Sequence, residues 1–366
     1  MNFFRITGAA LLLVAGTLLT LAVALLALPF FVFALLVRGL ALAMEPRFIA
    51  WNEIIEFDPD LGWKPKSNLD DHYLTLPRDG VYRAVTDSQG WPGRGSLTES
   101  RMVVFGDSFA SGYGIDNAKS FSEINPALRV KAIGAPAYNM VQELLLMRRF
   151  SAQLRGKLVV WFICVENDLI DNLSPHTFGY RTPFVRRTTE RGWEIVTSHI
   201  NRTKWHHIHR SRPYQGSYLE VLAKLCSTNP LSERAYSACE FLISEGKKVC
   251  SEAGSDLVVM TISNVNQLTR RGAAMLAQRS GSSETFDPEF PDKRIGGICD
   301  NLRITFMAAR TFLDAGDYKK LDPHWNKRGH ERVAKALDSL YQDRSRRGTD
   351  TVEQRAYTKS KLVEAR

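Results

Sequence analysis

Apolar residues follow three patterns along this chain, and each predicts a different kind of element. From Gly8 to Val37 the run GAALLLVAGTLLTLAVALLALPFFVFALLV carries no charge. A bilayer core takes roughly 20 apolar residues as helix, so residues 1–43 are expected to hold one tilted transmembrane helix. Tilt or a bend at Pro29 absorbs the surplus length. The run is longer than the apolar part of a cleaved signal peptide, and no small-residue cleavage site ends it. The second pattern begins at Arg101. Short apolar runs recur: RMVVF, VKAI (Val130 to Ile133), KLVVWFIC (Lys157 to Cys164) and DLVVMTI (Asp256 to Ile262). They read as strands, the third of them buried on both faces. Between the second and third, Val141, Leu144, Leu145 and Phe150 recur near helical spacing. Before the fourth, LSERAYSACEFLISEGKKVCSEAG reads as a helix starting near Ser232 and stopping before Gly254. Strands alternating with helices predict an α/β domain: a doubly wound, flavodoxin-like parallel sheet of about five strands with helices on both faces.

The third pattern is polar and rich in breakers. Residues 44–100 include FDPDLGWKPKSNL and TDSQGWPGRG, which exclude long helices and leave a connector with weak strand signals. Residues 170–231 also differ in texture. TPFVRRTTERGWEIVTSHI suggests a small hairpin, and WHHIHRSRPYQG is a basic, aromatic loop. This segment is expected to be an insertion capping the active face of a domain spanning residues 101–341. The charged tail, residues 342–366, is expected to be mobile or weakly helical.

Composition adds little. A chain of 366 residues with 44% hydrophobic content supports one large or two modest cores. The net charge of +9 favours anionic surfaces. No zinc-finger spacing, RNA-binding aromatic motif or long Lys/Arg block accompanies it, so no nucleic-acid partner is expected. Five cysteines, none in a CxxC, argue against a complete disulfide framework and leave pairing among Cys226, Cys239 and Cys250 open. Arg5 flanks the apolar run on one side, Arg38 and Arg47 on the other, a balance that does not choose an orientation.

The strand ends carry the candidate chemistry. Ligands of doubly wound sheets sit at the carboxyl ends of the strands. Attack by a serine needs a base, a group that orients the base, and donors for the oxyanion. Ser108 follows the first strand in VVFGDSFASGYG. The second strand ends in AIGAPAYN, where Gly134 offers a bare backbone N–H. The third ends in CVENDL, where Asn167 offers an amide and Asp168 braces the loop. LDPHWNKRGHERVAKAL places Asp322 two residues before His324, ahead of a helix with Val333, Ala334 and Leu337 on its inner face. Taken singly, these are a turn glycine, a helix cap and a surface loop, and His330 reads as structural. Their order, one after each successive strand and a pair before the last helix, points to one pocket.

With those residues quoted, the chain resembles the SGNH or GDSL-type hydrolase family over about residues 101–341. The likeness is carried by GDSFASGYG, by Gly134 in AIGAPAYN, by Asn167-Asp168 in VEND and by DPHWNKRGH. The resemblance implies that Ser108 is the nucleophile, His324 the base and Asp322 its partner. It implies an oxyanion hole made by the Ser108 and Gly134 N–H groups and the Asn167 side chain, supported by Asp107 and Asp168, with no metal or cofactor. The connector containing DPDLGW is similar to membrane-anchored bacterial members. That implies a single-pass inner-membrane esterase, its domain extracytoplasmic, removing acyl groups such as acetyl from an envelope carbohydrate or lipid.

Three departures bear on this. Val165 stands where the family's third block has glycine, and Phe109 where the common tetrad has leucine. Asp322 and His324 lie one residue closer than usual and precede Trp325, which is similar to the Asp-x-His-Trp pattern of alginate-type O-acetyltransferases. Acyl transfer to a glycan hydroxyl by the same residues is therefore the alternative, and a non-catalytic envelope scaffold the second. His206, His207 and His209 have no companion ligands at metal-binding spacing and read as a basic wall. Asn201-Arg202-Thr203 fits a glycosylation sequon, relevant only in a eukaryotic secretory setting. Trp161 and Trp193 read as packing residues.

Overall fold

A computed structural model describes residues 2–44, 54–70, 72–76, 80–177, 180–188, 192–201, 217–281, 285–320 and 322–364. The chain divides into two compact units, Met1–Glu53 and Ile54–Arg366. Among the described residues the first holds one helix, α1, Asn2–Met44. Its Val14–Leu36 stretch has a mean hydropathy of 2.7 and no burial, long and apolar enough to cross a membrane.

The second unit is built on five parallel strands: β1 Met102–Gly106, β2 Val130–Gly134, β3 Leu158–Cys164, β4 Asp256–Ile262 and β5 Thr305–Ala308. Their spatial order is β5-β4-β3-β1-β2. The chain winds outward from β1 to β2, then crosses back to β3 on the other side. That reversal opens a crevice between the carboxyl ends of β1 and β3. The first four strands are the apolar runs read from the sequence. β5 was expected only as part of a total of about five, because TFMA is short and only partly buried.

Successive residues of a strand face opposite sides of the sheet, and β3 shows why it must be apolar throughout. Leu158, Val160, Phe162 and Cys164 join a core with Phe121, Trp325, Val333, Ala334 and Leu337, the last three from α4, Lys327–Glu364. On the other face Trp161 meets α2, Met140–Arg149, and α3, Pro230–Ala253. Its indole N–H donates to Glu143 Oε2 of α2 at 2.5 Å. Its ring closes on Gly246 of α3, where an added Cβ would lie 2.5 Å from Cζ3. Helix α3 starts two residues earlier than its apolar spacing suggests. Asn229 accepts from the Leu231 and Ser232 N–H groups, and Pro230 takes the first helical position, where its missing N–H costs nothing.

Residues 54–100 are integral to this unit. Two antiparallel hairpins, Ile55–Asp58 with Gly62–Pro65 and His72–Leu76 with Gly80–Ala84, occupy what the sequence presents as a connector. Leu61, Trp63 and Trp91 are buried. The Tyr138 hydroxyl donates to the Trp63 carbonyl at 2.7 Å, and Arg149 forms a two-pronged ion pair with Asp58. Fully burying one large apolar side chain stabilises by about 1.5–3 kcal/mol, which outweighs the polar texture of the segment. The segment expected as an insertion forms a hairpin, Phe184–Thr188 with Gly192–Val196, whose Trp193 donates to Ser237 of α3. His206, His207 and His209, and the Arg202-Thr203 part of the sequon, lie outside the described residues. All five cysteines are buried free thiols.

Two outcomes are expected. Gly246→Ala should lower stability by about 1–3 kcal/mol through overpacking against Trp161, read as a lower urea midpoint; an unchanged midpoint would contradict the packing described. The second concerns Glu143, whose carboxyl is pushed well above its usual range chiefly by burial and further by Asp107, against the Trp161 hydrogen bond. A raised acid stabilises fully below its unfolded value near 4.5, and that contribution is lost as pH rises. Between pH 5 and pH 8 the wild-type urea midpoint should therefore fall more than that of Glu143→Gln. Equal falls would show that the buried carboxyl does not titrate in this way.

Candidate active site

Ser108 is presented by close approach of two strand ends. In register, Gly106 of β1 lies opposite Gly134 of β2. A Cβ on Gly134 would come within 2.1 Å of the Gly106 carbonyl oxygen, and one on Gly106 within 2.9 Å of both Ala110 and Phe162. Only glycine lets β1 end so tightly against its neighbours. The chain then makes a single helical turn, Ser108–Ser111, capped by Asp107, whose Oδ1 accepts from the Phe109 N–H at 2.9 Å.

His324 reaches Ser108 from the far end of the sequence. Its ring Nδ1 lies 2.5 Å from Asp322 Oδ1, and its Nε2 lies 2.7 Å from Ser108 Oγ. An ionised carboxylate only accepts. Nδ1 therefore carries the proton, and the Nε2 lone pair faces the serine hydroxyl. The same Asp322 oxygen also accepts the backbone N–H of His324 at 2.9 Å. This Asx turn explains how a two-residue spacing suffices: Asp322 folds the backbone and orients the ring at once. Burial works to raise the Asp322 carboxyl, but the hydrogen bond and charge of His324 hold it below its ordinary value. The imidazole lies between Phe109 and Tyr113, at centroid distances of 5.0 and 5.1 Å. Trp325 is fully buried against Phe109, Phe121 and Phe162 and anchors the loop.

The other residues singled out in the sequence gather at the same strand ends. Asp107 Oδ2 lies 3.3 Å from Ser108 Oγ and 3.4 Å from Asn167 Nδ2, so Asn167 is held one carboxylate away from the hydroxyl. Asp107 is raised by burial, partly offset by its hydrogen bonds and by His324. Asp168 is buried, and its Oδ2 accepts the Cys164 N–H at 2.7 Å, tying the loop back to β3. Burial and the nearby Glu143 and Asp107 push Asp168 well up. His330 takes no part. It is buried, stacks on Phe121 and accepts from the Phe121 N–H, and burial pushes it down to about 3. Among the described residues no group of three His, Cys, Asp or Glu side chains is placed to hold a metal ion.

Sequence reasoning passed over Tyr82, Tyr113, Glu166 and Asn264. Tyr113 packs on His324 and Tyr82 packs on Tyr113, so a hairpin of residues 54–100 stands one ring away from the imidazole. Asn264, after β4, donates to Glu166. The rule that singled out Ser108, Gly134 and Asn167, a polar or glycine residue just past a strand end, also selects Asn264. A cavity of about 1050 Å³ lies at the other end of the sheet, at the amino ends of β3 and β4 beside Leu158, Asp256 and Leu257, away from these residues.

No protein-family model and no curated protein sequence matches this chain. Solved structures similar to it include a GDSL-like lipase from Bacteroides thetaiotaomicron, 10% identical, covering 69% of this chain and 92% of its own, with a TM-score of 0.35. Another is Est24, a carbohydrate acetylesterase from Sinorhizobium meliloti, 11% identical, covering 67% and 99%, with a TM-score of 0.36. At such scores these are likenesses only. What gives this chain its resemblance to SGNH/GDSL-type hydrolases is its own strand order and the meeting of residues from four loops at one sheet edge.

Proposed function

We propose that this protein is a membrane-anchored serine esterase that removes short acyl groups, acetyl foremost, from an envelope carbohydrate or lipid. The observation that carries the reading is the chain of contacts from Asp322 through His324 to Ser108. In the reaction, Nε2 of His324 takes the Ser108 proton as Oγ bonds to the ester carbonyl carbon. The N–H groups of Ser108 and Gly134 and the Asn167 amide stabilise the oxyanion. Collapse breaks the bond to the alkoxy oxygen, which leaves as alcohol with the proton from His324. Water, deprotonated by His324, then attacks the acyl-Ser108 ester, releasing the acid and restoring the hydroxyl. Asp322 stays ionised throughout and stabilises the imidazolium.

Support for an anchor comes from the Val14–Leu36 span, and the resemblance favours an extracytoplasmic site on a bacterial inner membrane. A second reading keeps the same acyl-enzyme and hands its acyl group to a sugar hydroxyl. The Asp322-Pro323-His324-Trp325 order supports it, and product analysis separates the two: free acid for an esterase, acylated glycan for a transferase.

Two experiments test the assignment on full-length protein in detergent. A fluorophosphonate probe should label wild type on the peptide containing Ser108 and leave Ser108→Ala unlabelled, with aryl acetate turnover down by at least about 10³-fold. A Ser108→Ala protein with wild-type turnover would falsify the mechanism, and a wild type that never labels would favour the scaffold. Asn167→Ala should lower kcat by about 10²–10³-fold with KM little changed; a change confined to KM would remove Asn167 from the oxyanion hole.

A further inference from the structure

Glu166 lies between Val165 and Asn167 in the loop after β3 and has no role in the chemistry above. One of its oxygens is committed. Asn264, past the end of β4, donates its side-chain N–H to Glu166 Oε2. Asn264 is itself fixed, because its Oδ1 accepts from the backbone and side-chain N–H groups of Asn266. A braced amide thus holds the carboxyl from behind. The second oxygen, Oε1, takes no hydrogen bond from any described residue, and the side chain is half-buried. Glu166 immediately precedes Asn167, whose side-chain amide lies 3.4 Å from Asp107 Oδ2, so the loop that carries it stands at the same strand ends as Ser108. Burial is the main cause that raises its own carboxyl above the ordinary range.

A carboxyl fixed at one oxygen and open at the other is suited to a hydroxyl partner, because it accepts from an O–H when ionised and donates to one when protonated. The geometry points to Glu166 as a substrate-positioning residue that hydrogen-bonds a hydroxyl on the alcohol side of the ester, selecting a neutral polyhydroxylated sugar ester. This rests on the esterase reading of the same site. Asp322, whose carboxyl is held in its charged form beside the serine, makes the site unfavourable for an anionic headgroup or uronate next to the ester. The inference therefore chooses between the two substrate classes left open above: a neutral carbohydrate, not an anionic lipid.

The test uses full-length protein in detergent micelles with two substrates, a mono-O-acetylated methyl glycoside and phenyl acetate, which has no hydroxyl. The quantity read is the ratio of kcat/KM for the glycoside to kcat/KM for phenyl acetate. In Glu166→Ala the ratio should fall at least about tenfold, since a site built to bond a hydroxyl discriminates by that bond. Glu166→Gln, which keeps a hydrogen-bonding group at the same place, should restore it to within about threefold of wild type. A ratio unchanged in Glu166→Ala overturns the inference, whether both activities survive or both fall together. So does a ratio that Glu166→Gln fails to restore, or a wild type that cleaves phenyl acetate and no acetylated glycoside. A wild type that cleaves neither substrate and resists the fluorophosphonate probe fells the esterase reading and this inference with it.

Discussion

Ser108 and His324 lie 216 residues apart in the chain yet 2.7 Å apart in space, and the burial of Trp325 is what holds that closure. The indole sits in the core between the sheet and α4, against Phe109, Phe121 and Phe162. Phe109 belongs to the same helical turn as Ser108, so one aromatic cluster fixes both the turn that carries Ser108 and the loop that carries His324. Backbone bonds reinforce it: Lys319 donates to the His324 carbonyl and Asn326 to that of Asp317. With the backbone fixed on each side of His324, a single oxygen of Asp322 suffices to set the ring.

The same economy governs the other loops. Asp107 caps the turn with one oxygen and accepts from the Asn167 amide with the other, which lies 3.3 Å from Ser108 Oγ. Asp168 ties its loop to β3 through the Cys164 N–H. Burial raises Asp107, Glu143, Glu166 and Asp168, and repulsion from neighbouring acids adds to it at Glu143, Glu166 and Asp168. Such a cluster is costly to bury, and its hydrogen bonds hold the donor groups around Ser108 in place before a ligand arrives. Preorganised donors of this kind are worth most where water is excluded. Tyr82 of the second hairpin packs on Tyr113, which packs on His324, and this gives residues 54–100 a part in shaping the site.

The legible part of the fold came from period and length. Four apolar runs gave four strands because strands buried on both faces are nearly all apolar, Lys131 of β2 being admitted by its ion pair with Asp87. Gly254 marks the end of α3, while its start at Asn229 and Pro230 lies two residues before the Ser232 at which the sequence reading begins it. β5 was faint because an edge strand of four partly buried residues has little apolar signal. Residues 54–100 read as a connector because their buried residues, Leu61, Trp63 and Trp91, are scattered among breakers and follow no period. For the site, Ser108, Gly134, Asn167 and His324 stood out by lying just beyond predicted strands or before the last helix. Glu166 was hidden in the same quoted motif, because its role depends on a hydrogen bond from a residue of another loop.

By itself the sequence determined the transmembrane-length run, the α/β class and the order in which chemistry-bearing loops occur, since each follows from local periodicity and turn chemistry. Only the tertiary structure decided that Asp322 turns the backbone and the imidazole with one oxygen, that the hairpins wall the site, and that Glu166 keeps an oxygen open beside it. Those are distances between residues remote in the chain, set by which apolar surfaces bury one another, and no local pattern encodes them.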